Sequence, residues 1–163
     1  TPMQLTLATS TLTTNGNTYT PHLLKSYKNN KTKEIFNYNS NQNKFSTVIK
    51  NPDDLDIVKR AMWRVVNEKN VGTASSLKKV NDIEFAGKTG TAQVYNLDAG
   101  KSNKKILQDH ALFISYAPYE APEIVVTVIV EHGGGGSSTA APIARDIIDF
   151  YMENKRKKVV LNE

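Results

Sequence analysis

The sequence predicts an α+β fold with an antiparallel sheet flanked by helices. One observation is an apolar stripe at helical spacing, which we expect to lie in the core, at Leu55, Val58, Met62 and Val65. A second is a pair of β-rich runs, Ala111–Ala117 and Ile124–Glu131. The third is the link between these runs, Pro118–Glu123, which is too short for a crossover. The two runs should therefore form an antiparallel hairpin.

The helices carry signals at their ends. Thr1 can cap a first helix with Pro2 in its first turn, and Asn15-Gly16 can end it. Asp53 or Asp54 can cap the second helix. A last helix is expected from a cap within Ser137–Thr139 to about Glu153, followed by a basic tail over about 154–163.

Other segments are assigned from composition. Tyr19–Tyr27 fits a short strand, and Lys28–Lys44 reads as an exposed polar excursion. Val71–Asn81 is rich in small and polar residues, so we expect a loop. Ile83–Tyr95 is the third strand candidate. The order of helix, helix, three strands and helix is the layout of an α+β domain.

Composition excludes several classes of protein. The chain has 163 residues, no cysteine and a net charge of +5, so disulfides and thiolate metal sites are excluded. Much of the positive charge lies in Lys101–Lys105 and Lys155–Lys158, without the interleaved aromatic residues that nucleic-acid binding favours. We therefore expect no nucleic-acid partner. No apolar run approaches the roughly 20 residues needed to span a bilayer, so any anchor is expected outside this chain.

The chemistry-bearing motif is Lys88-Thr89-Gly90-Thr91, inside the strand candidate that precedes the hairpin. Glycine weakens a strand interior and often marks close approach by a ligand or another backbone, and Gly87 and Gly90 flank Lys88 and Thr89. Alternation along a strand places Thr89 and Thr91 on one side and Lys88 on the other. Such an edge can hold an extended peptide, with hydroxyls and a cation for a carboxylate and an N–H for an oxyanion.

The motif resembles the Lys-Thr-Gly element of penicillin-binding proteins and β-lactamases. The resemblance to class B penicillin-binding proteins covers most of the chain, including Thr1–Leu5, Val65–Glu68 with Gly72–Ala74, and Lys88–Gln93. His110–Pro118 and Val130–Gly136 with Ala140–Arg145 are most similar to the elongation-specific subgroup, penicillin-binding protein 2. The resemblance implies that residues 1–163 are the C-terminal portion of a transpeptidase domain with a β-lactamase/transpeptidase-like fold.

The same resemblance implies roles for four residues. Lys88 would face the serine of an S-x-N element and assist its proton transfer, and the Thr91 N–H would be one oxyanion donor. The hydroxyls of Thr89 and Thr91 would hold the carboxylate of a D-Ala-D-Ala stem peptide or of a β-lactam. Gly90 would leave room for the substrate. No metal or other cofactor is implied.

The resemblance also implies a cellular setting and partners. The enzyme would act in peptidoglycan synthesis and cell shape at the periplasmic face of the bacterial inner membrane. Its partners would be the upstream half of the same domain, a glycan polymerase of the RodA type and the scaffold MreC.

The nucleophilic serine of this family is expected outside the chain. Two spacings imitate S-x-x-K, Ser75–Lys78 and Ser102–Lys105, but both lie in predicted loops close to the Lys-Thr-Gly strand rather than far upstream of it. No S-x-N occurs in the sequence. A serine without an activating base is a poor nucleophile, so the chain alone should be inactive. A β-lactamase or penicillin sensor, and a non-enzymatic interaction module, remain alternatives.

Overall fold

The computed structural model describes residues 1–38, 44–77, 82–94 and 108–160, with side chains described as far as Lys155. These ranges contain three helices and seven strands, with a π-helical turn at Gly136–Ala140. Their bounds are α1 Pro2–Thr13, β1 Asn17–Tyr19, β2 Ser26–Lys28, β3 Ile35–Asn37, β4 Lys44–Ser46, α2 Pro52–Asn67, β5 Ala86–Ala92, β6 His110–Ala117, β7 Ile124–Val130 and α3 Ala141–Val160.

The main sheet has the order β5-β6-β7 and is antiparallel throughout. The short link after β6 makes β6 and β7 the expected hairpin, with Ala117 opposite Ile124. Within the described residues β5 pairs with β6 alone, so β5 is an edge strand. The α+β prediction with an antiparallel sheet is confirmed.

The two faces of this sheet carry different helices. On one face, Phe113 and Val128 pack with Ala144 and Ile148 of α3 in the larger core cluster. On the other face, Ala86 and Tyr116 pack with Met62 of α2. Helix α1 also covers this second face, where the Thr6 hydroxyl donates to Oγ1 of Thr127 at 2.7 Å.

The predicted ends of α1 are confirmed, whereas the cap of α2 is different from the prediction. Thr1 and Gln4 form a capping box, and Asn15 and Gly16 have positive φ angles of 53° and 95° after the helix. Helix α2 is capped by Asn51, whose side chain accepts from the Asp53 N–H. Asp53 and Asp54 lie instead in the first turn, where carboxylates favour the helix dipole.

The structure corrects the expected organisation of residues 17–46. In place of the predicted strand Tyr19–Tyr27 there are two antiparallel ribbons, β1 with β4 and β2 with β3. The described part of Lys28–Lys44 is exposed as predicted, apart from the half-buried Tyr38. Each strand has three residues, too few for a periodic signal. Stacking of Tyr27 on Phe36, with ring centroids 5.0 Å apart, supports the outer ribbon.

Two other boundaries also differ from the predictions. Strand β5 is shorter than the predicted Ile83–Tyr95, and α3 begins at Ala141 and continues to Val160. The expected basic tail over 154–163 is therefore helical as far as residue 160. Lys101–Lys105 lies outside the described residues.

Candidate active site

Strand β5 passes from the core to the surface along its length. Ala86 and Gly87 are buried, Thr89 and Gly90 are half-buried, and Thr91 is exposed. The outer edge of this strand therefore offers the second half of the motif to solvent. An edge of this kind can receive an extended peptide through main-chain hydrogen bonds.

The register separates the lysine from the threonines. Thr89 lies opposite Phe113 and Thr91 opposite Ala111, both on the α3 face of the sheet, while Lys88 lies opposite Ile114 on the other face. This agrees with the expected alternation. The Lys88 ammonium donates to the Thr89 carbonyl at 2.7 Å, which holds the cation beside the strand.

Lys88 borders an apolar groove of about 530 Å³ between α1, α2 and the sheet. The lining side chains are almost all aliphatic, and those from the helices include Leu5, Ala8, Leu12, Ile57, Val58 and Ala61. The expectation that the α2 stripe lies in the core is correct only in part. Met62 is 7% exposed, Leu55 and Val65 are half-buried, but Val58 is 42% exposed.

Helix α1 contributes Leu5, Ala8, Thr9 and Leu12 to the wall of this groove. Of the helix residues, Thr9 and Thr13 are buried. The buried hydroxyls are satisfied locally, since those of Thr9 and Thr13 donate to the carbonyls of Leu5 and Ser10. Leu5, Ala8 and Leu12 therefore form an apolar side of α1 along the groove.

A loop after α2 brings another hydroxyl to β5. Oγ1 of Thr73 lies 3.1 Å from Oγ1 of Thr89, a hydrogen bond in which either atom can donate. The sequence assigned no role to Thr73. A signal was available, because Thr73 lies in the Gly72–Ala74 segment that resembles class B penicillin-binding proteins.

The two glycines of β5 have different surroundings, which the sequence could not specify. A Cβ at Gly87 would lie 2.4 Å from Cζ of Phe113, whose ring covers the strand at that point. A Cβ at Gly90 would meet only the Cβ of Leu112, at 3.3 Å. The Phe113 ring therefore accounts for Gly87, whereas Gly90 has no comparable crowding among the described residues.

His110, the first residue of β6, has a structural hydrogen bond. Its Nδ1 accepts from the His132 N–H at 2.9 Å, and the two rings meet edge to face at 4.9 Å. This contact ties the turn after β7 to the start of β6. Across the described ranges, no group of three or more histidines and carboxylates has metal-binding geometry.

The serines that imitate a nucleophile motif are only partly described. Ser75 lies in the loop after α2, where its N–H donates to the Gly72 carbonyl at 3.1 Å. Lys78 and the whole of Ser102–Lys105 fall outside the described residues. The expectation about these motifs therefore stays a prediction.

The class of protein follows from the fold and this edge strand together. The edge strand carries Lys-Thr-Gly, an element found in penicillin-binding proteins and class A β-lactamases. Residues 1–149 match the penicillin-binding protein transpeptidase domain family. The chain belongs to this family.

One curated relative is the peptidoglycan D,D-transpeptidase MrdA of Haemophilus influenzae. It is 38% identical over 171 residues, which cover 98% of this chain and 25% of the relative. The chain thus spans about a quarter of that relative's length. The expected similarity to the elongation-specific subgroup is confirmed, since MrdA proteins recur among the curated relatives.

Solved structures of the family share the fold. Penicillin-binding protein 2 of Pseudomonas aeruginosa in complex with WCK 5153 is 32% identical, with a TM-score of 0.70 over 93% of this chain and 30% of that one. Penicillin-binding protein 2 of Helicobacter pylori in complex with MreC is 29% identical, with a TM-score of 0.64 over 98% of this chain and 25% of that one. The penicillin G acyl-enzyme complex of Mycobacterium tuberculosis penicillin-binding protein A is 26% identical, with a TM-score of 0.65 over 93% of this chain and 32% of that one.

Proposed function

We propose that this chain is the C-terminal portion of the transpeptidase domain of a peptidoglycan D,D-transpeptidase. The enzyme cross-links stem peptides by serine acyl transfer and is acylated by β-lactams. One observation carries the proposal: β5 is an edge strand that offers Thr89 and Thr91 on one face of the sheet, while Lys88 borders an open groove on the other. Family membership supports it.

Each motif residue has a role in this reaction. The serine oxygen attacks the penultimate D-Ala carbonyl, the terminal D-Ala leaves, and an amine of a second stem peptide then takes the acyl group. The hydroxyls of Thr89 and Thr91 bind the terminal carboxylate, and the Thr91 N–H donates to the oxyanion. Lys88 supplies positive potential and assists proton transfer at the S-x-N serine, and Gly90 leaves room for the peptide.

The nucleophile comes from sequence outside these 163 residues. The groove beside Lys88 is aliphatic, and Val58 and Ile57 stand exposed in it. Burying such side chains contributes about 25 cal/mol per Å² of apolar area, so an upstream helix would gain by filling the groove. Its serine would then lie next to Lys88. This arrangement explains why the apolar side of α1 faces the groove.

The MrdA relatives are named peptidoglycan D,D-transpeptidases, which supports a setting in cell-wall synthesis. We infer that this domain acts at the periplasmic face of the inner membrane. No helix in the described part of the chain combines the length and apolar character needed to cross a bilayer. The Helicobacter pylori neighbour was solved with MreC, and we propose MreC and a RodA-type polymerase as partners.

Covalent labelling by fluorescent penicillin tests the proposal. We expect no label on the 163-residue chain alone and stable label on the longer polypeptide that carries it behind an upstream transpeptidase segment. Rapid loss of that label would favour a β-lactamase. No label on either polypeptide would contradict the proposal and favour an interaction module.

Variants of the longer polypeptide assign the motif. Thr89→Val removes a hydrogen bond to a carboxylate and should slow acylation by about tenfold or more. Lys88→Ala should slow it further, because the positive potential is lost. Lys28→Ala, which removes an exposed lysine from β2, should leave the rate unchanged. Equal rates for all three variants would overturn the assignment.

A further inference from the structure

We propose that Thr73 is a positioning residue that orients the Thr89 hydroxyl towards the substrate carboxylate. This inference rests on the proposed function and names a residue for which the motif gives no role. The observation behind it is the 3.1 Å distance between the two Oγ1 atoms.

The loop that carries Thr73 is fixed on both sides of the residue. On one side, the Gly72 N–H donates to the Glu68 carbonyl at 2.9 Å, and a Cβ at Gly72 would lie 2.3 Å from the Arg64 oxygen. On the other side, Ala74 is completely buried and donates to the Val65 carbonyl at 2.9 Å. Thr73 is therefore held against β5 by backbone bonds to the end of α2.

Counting protons gives the direction of the bond. A threonine hydroxyl has one proton and two acceptor lone pairs. When Thr89 donates its proton to a carboxylate, its oxygen can only accept from Thr73. The Thr73 hydroxyl then donates to the Thr89 oxygen, and the Thr89 hydroxyl donates to the substrate carboxylate. Two hydroxyls in series also polarise each other, which strengthens the bond to the anion.

The test compares acylation rates of two ligands by variants of the longer polypeptide. The ligands are a penicillin with a free carboxylate and its methyl ester, which removes the anionic acceptor. Thr73→Val should slow acylation by the acid about fivefold, the scale of one misdirected hydrogen bond. It should leave the slower reaction with the ester unchanged. Thr73→Ser keeps a hydroxyl and should restore the rate with the acid.

Matched variants separate positioning from general damage. Ser76→Ala removes an exposed hydroxyl from the same loop and should have the wild-type rate with both ligands. Should Thr73→Val melt at a lower temperature than wild type, Thr73→Ala provides the same comparison with a smaller side chain.

The outcomes also separate this inference from the proposed function. A wild-type rate for Thr73→Val with the acid, an equal loss with acid and ester, or no recovery with Thr73→Ser would overturn the role of Thr73. Failure of the wild-type protein to react with the acid at all would instead overturn the proposed function.

Discussion

Replacement of Gly136 by alanine tests how the π-helical turn is seated on the sheet. The new Cβ would lie 2.4 Å from the Leu112 oxygen and 2.6 Å from the Gly90 oxygen, whereas ordinary contacts begin at 3.4 Å. Both oxygens belong to the backbone of paired strands, so the turn itself must move, by about 1 Å. Overpacking of this kind costs typically 1–3 kcal/mol. We expect a loss near the upper end, about 3 kcal/mol, because neither neighbour is a flexible side chain.

The assay is chemical denaturation of Gly136→Ala beside a matched control, Gly135→Ala. At Gly135 the added Cβ would meet only the Ser138 hydroxyl, at 2.9 Å, and this exposed side chain can rotate away. Gly135→Ala should therefore change the free energy of unfolding by less than about 1 kcal/mol. Similar midpoints for the two variants would refute the argument from backbone contact.

Three further predictions concern packing and charge. Gly87→Ala should destabilise the protein by about 2 kcal/mol, because its Cβ meets the buried Phe113 ring. Adding Phe113→Leu should recover part of this loss in chemical denaturation. Free energies of unfolding that simply add in the double variant would contradict the contact. Asp149→Asn breaks a buried 2.7 Å ion pair with Arg145 and should cost about 3 kcal/mol, while Glu68→Gln in the exposed Arg64 pair should change the unfolding midpoint little. Burial raises the pKa of the Tyr116 hydroxyl, which has no hydrogen-bond partner among the described residues. The folded protein then holds this proton above pH 10 while the unfolded chain loses it, so stability falls as pH rises past about 10. Tyr116→Phe should be as stable as wild type at pH 7 and decline less in alkaline melts; an unchanged decline would contradict the assignment.

Local signals in the sequence specified much of the fold. The short link at Pro118–Glu123 permits only a hairpin, and the Thr1–Gln4 capping box is formed by neighbours in sequence. The motif strand was predicted from Lys88–Thr91, and its register follows from alternation. These features depend on a few consecutive residues, so no knowledge of distant contacts was needed.

Contacts between distant segments were beyond the sequence. Periodicity identified the apolar stripe of α2 but not what covers it, and Val58 lies in an open groove. The pairing of β1 with β4 joins Asn17 to Ser46 through strands of three residues, too short to show a pattern. The role of Gly136 and the contact of Thr73 with Thr89 depend on which backbone and hydroxyl lie opposite.

A crystal structure of the longer polypeptide acylated by benzylpenicillin tests the central claim most directly. We predict that the penicillin carboxylate lies about 2.7 Å from the hydroxyls of Thr89 and Thr91, the distance of a charge-assisted hydrogen bond. The ligand should run along the open edge of β5, with its acyl oxygen on the Thr91 N–H. An acyl group bound elsewhere, or a carboxylate with no contact to β5, would contradict the account.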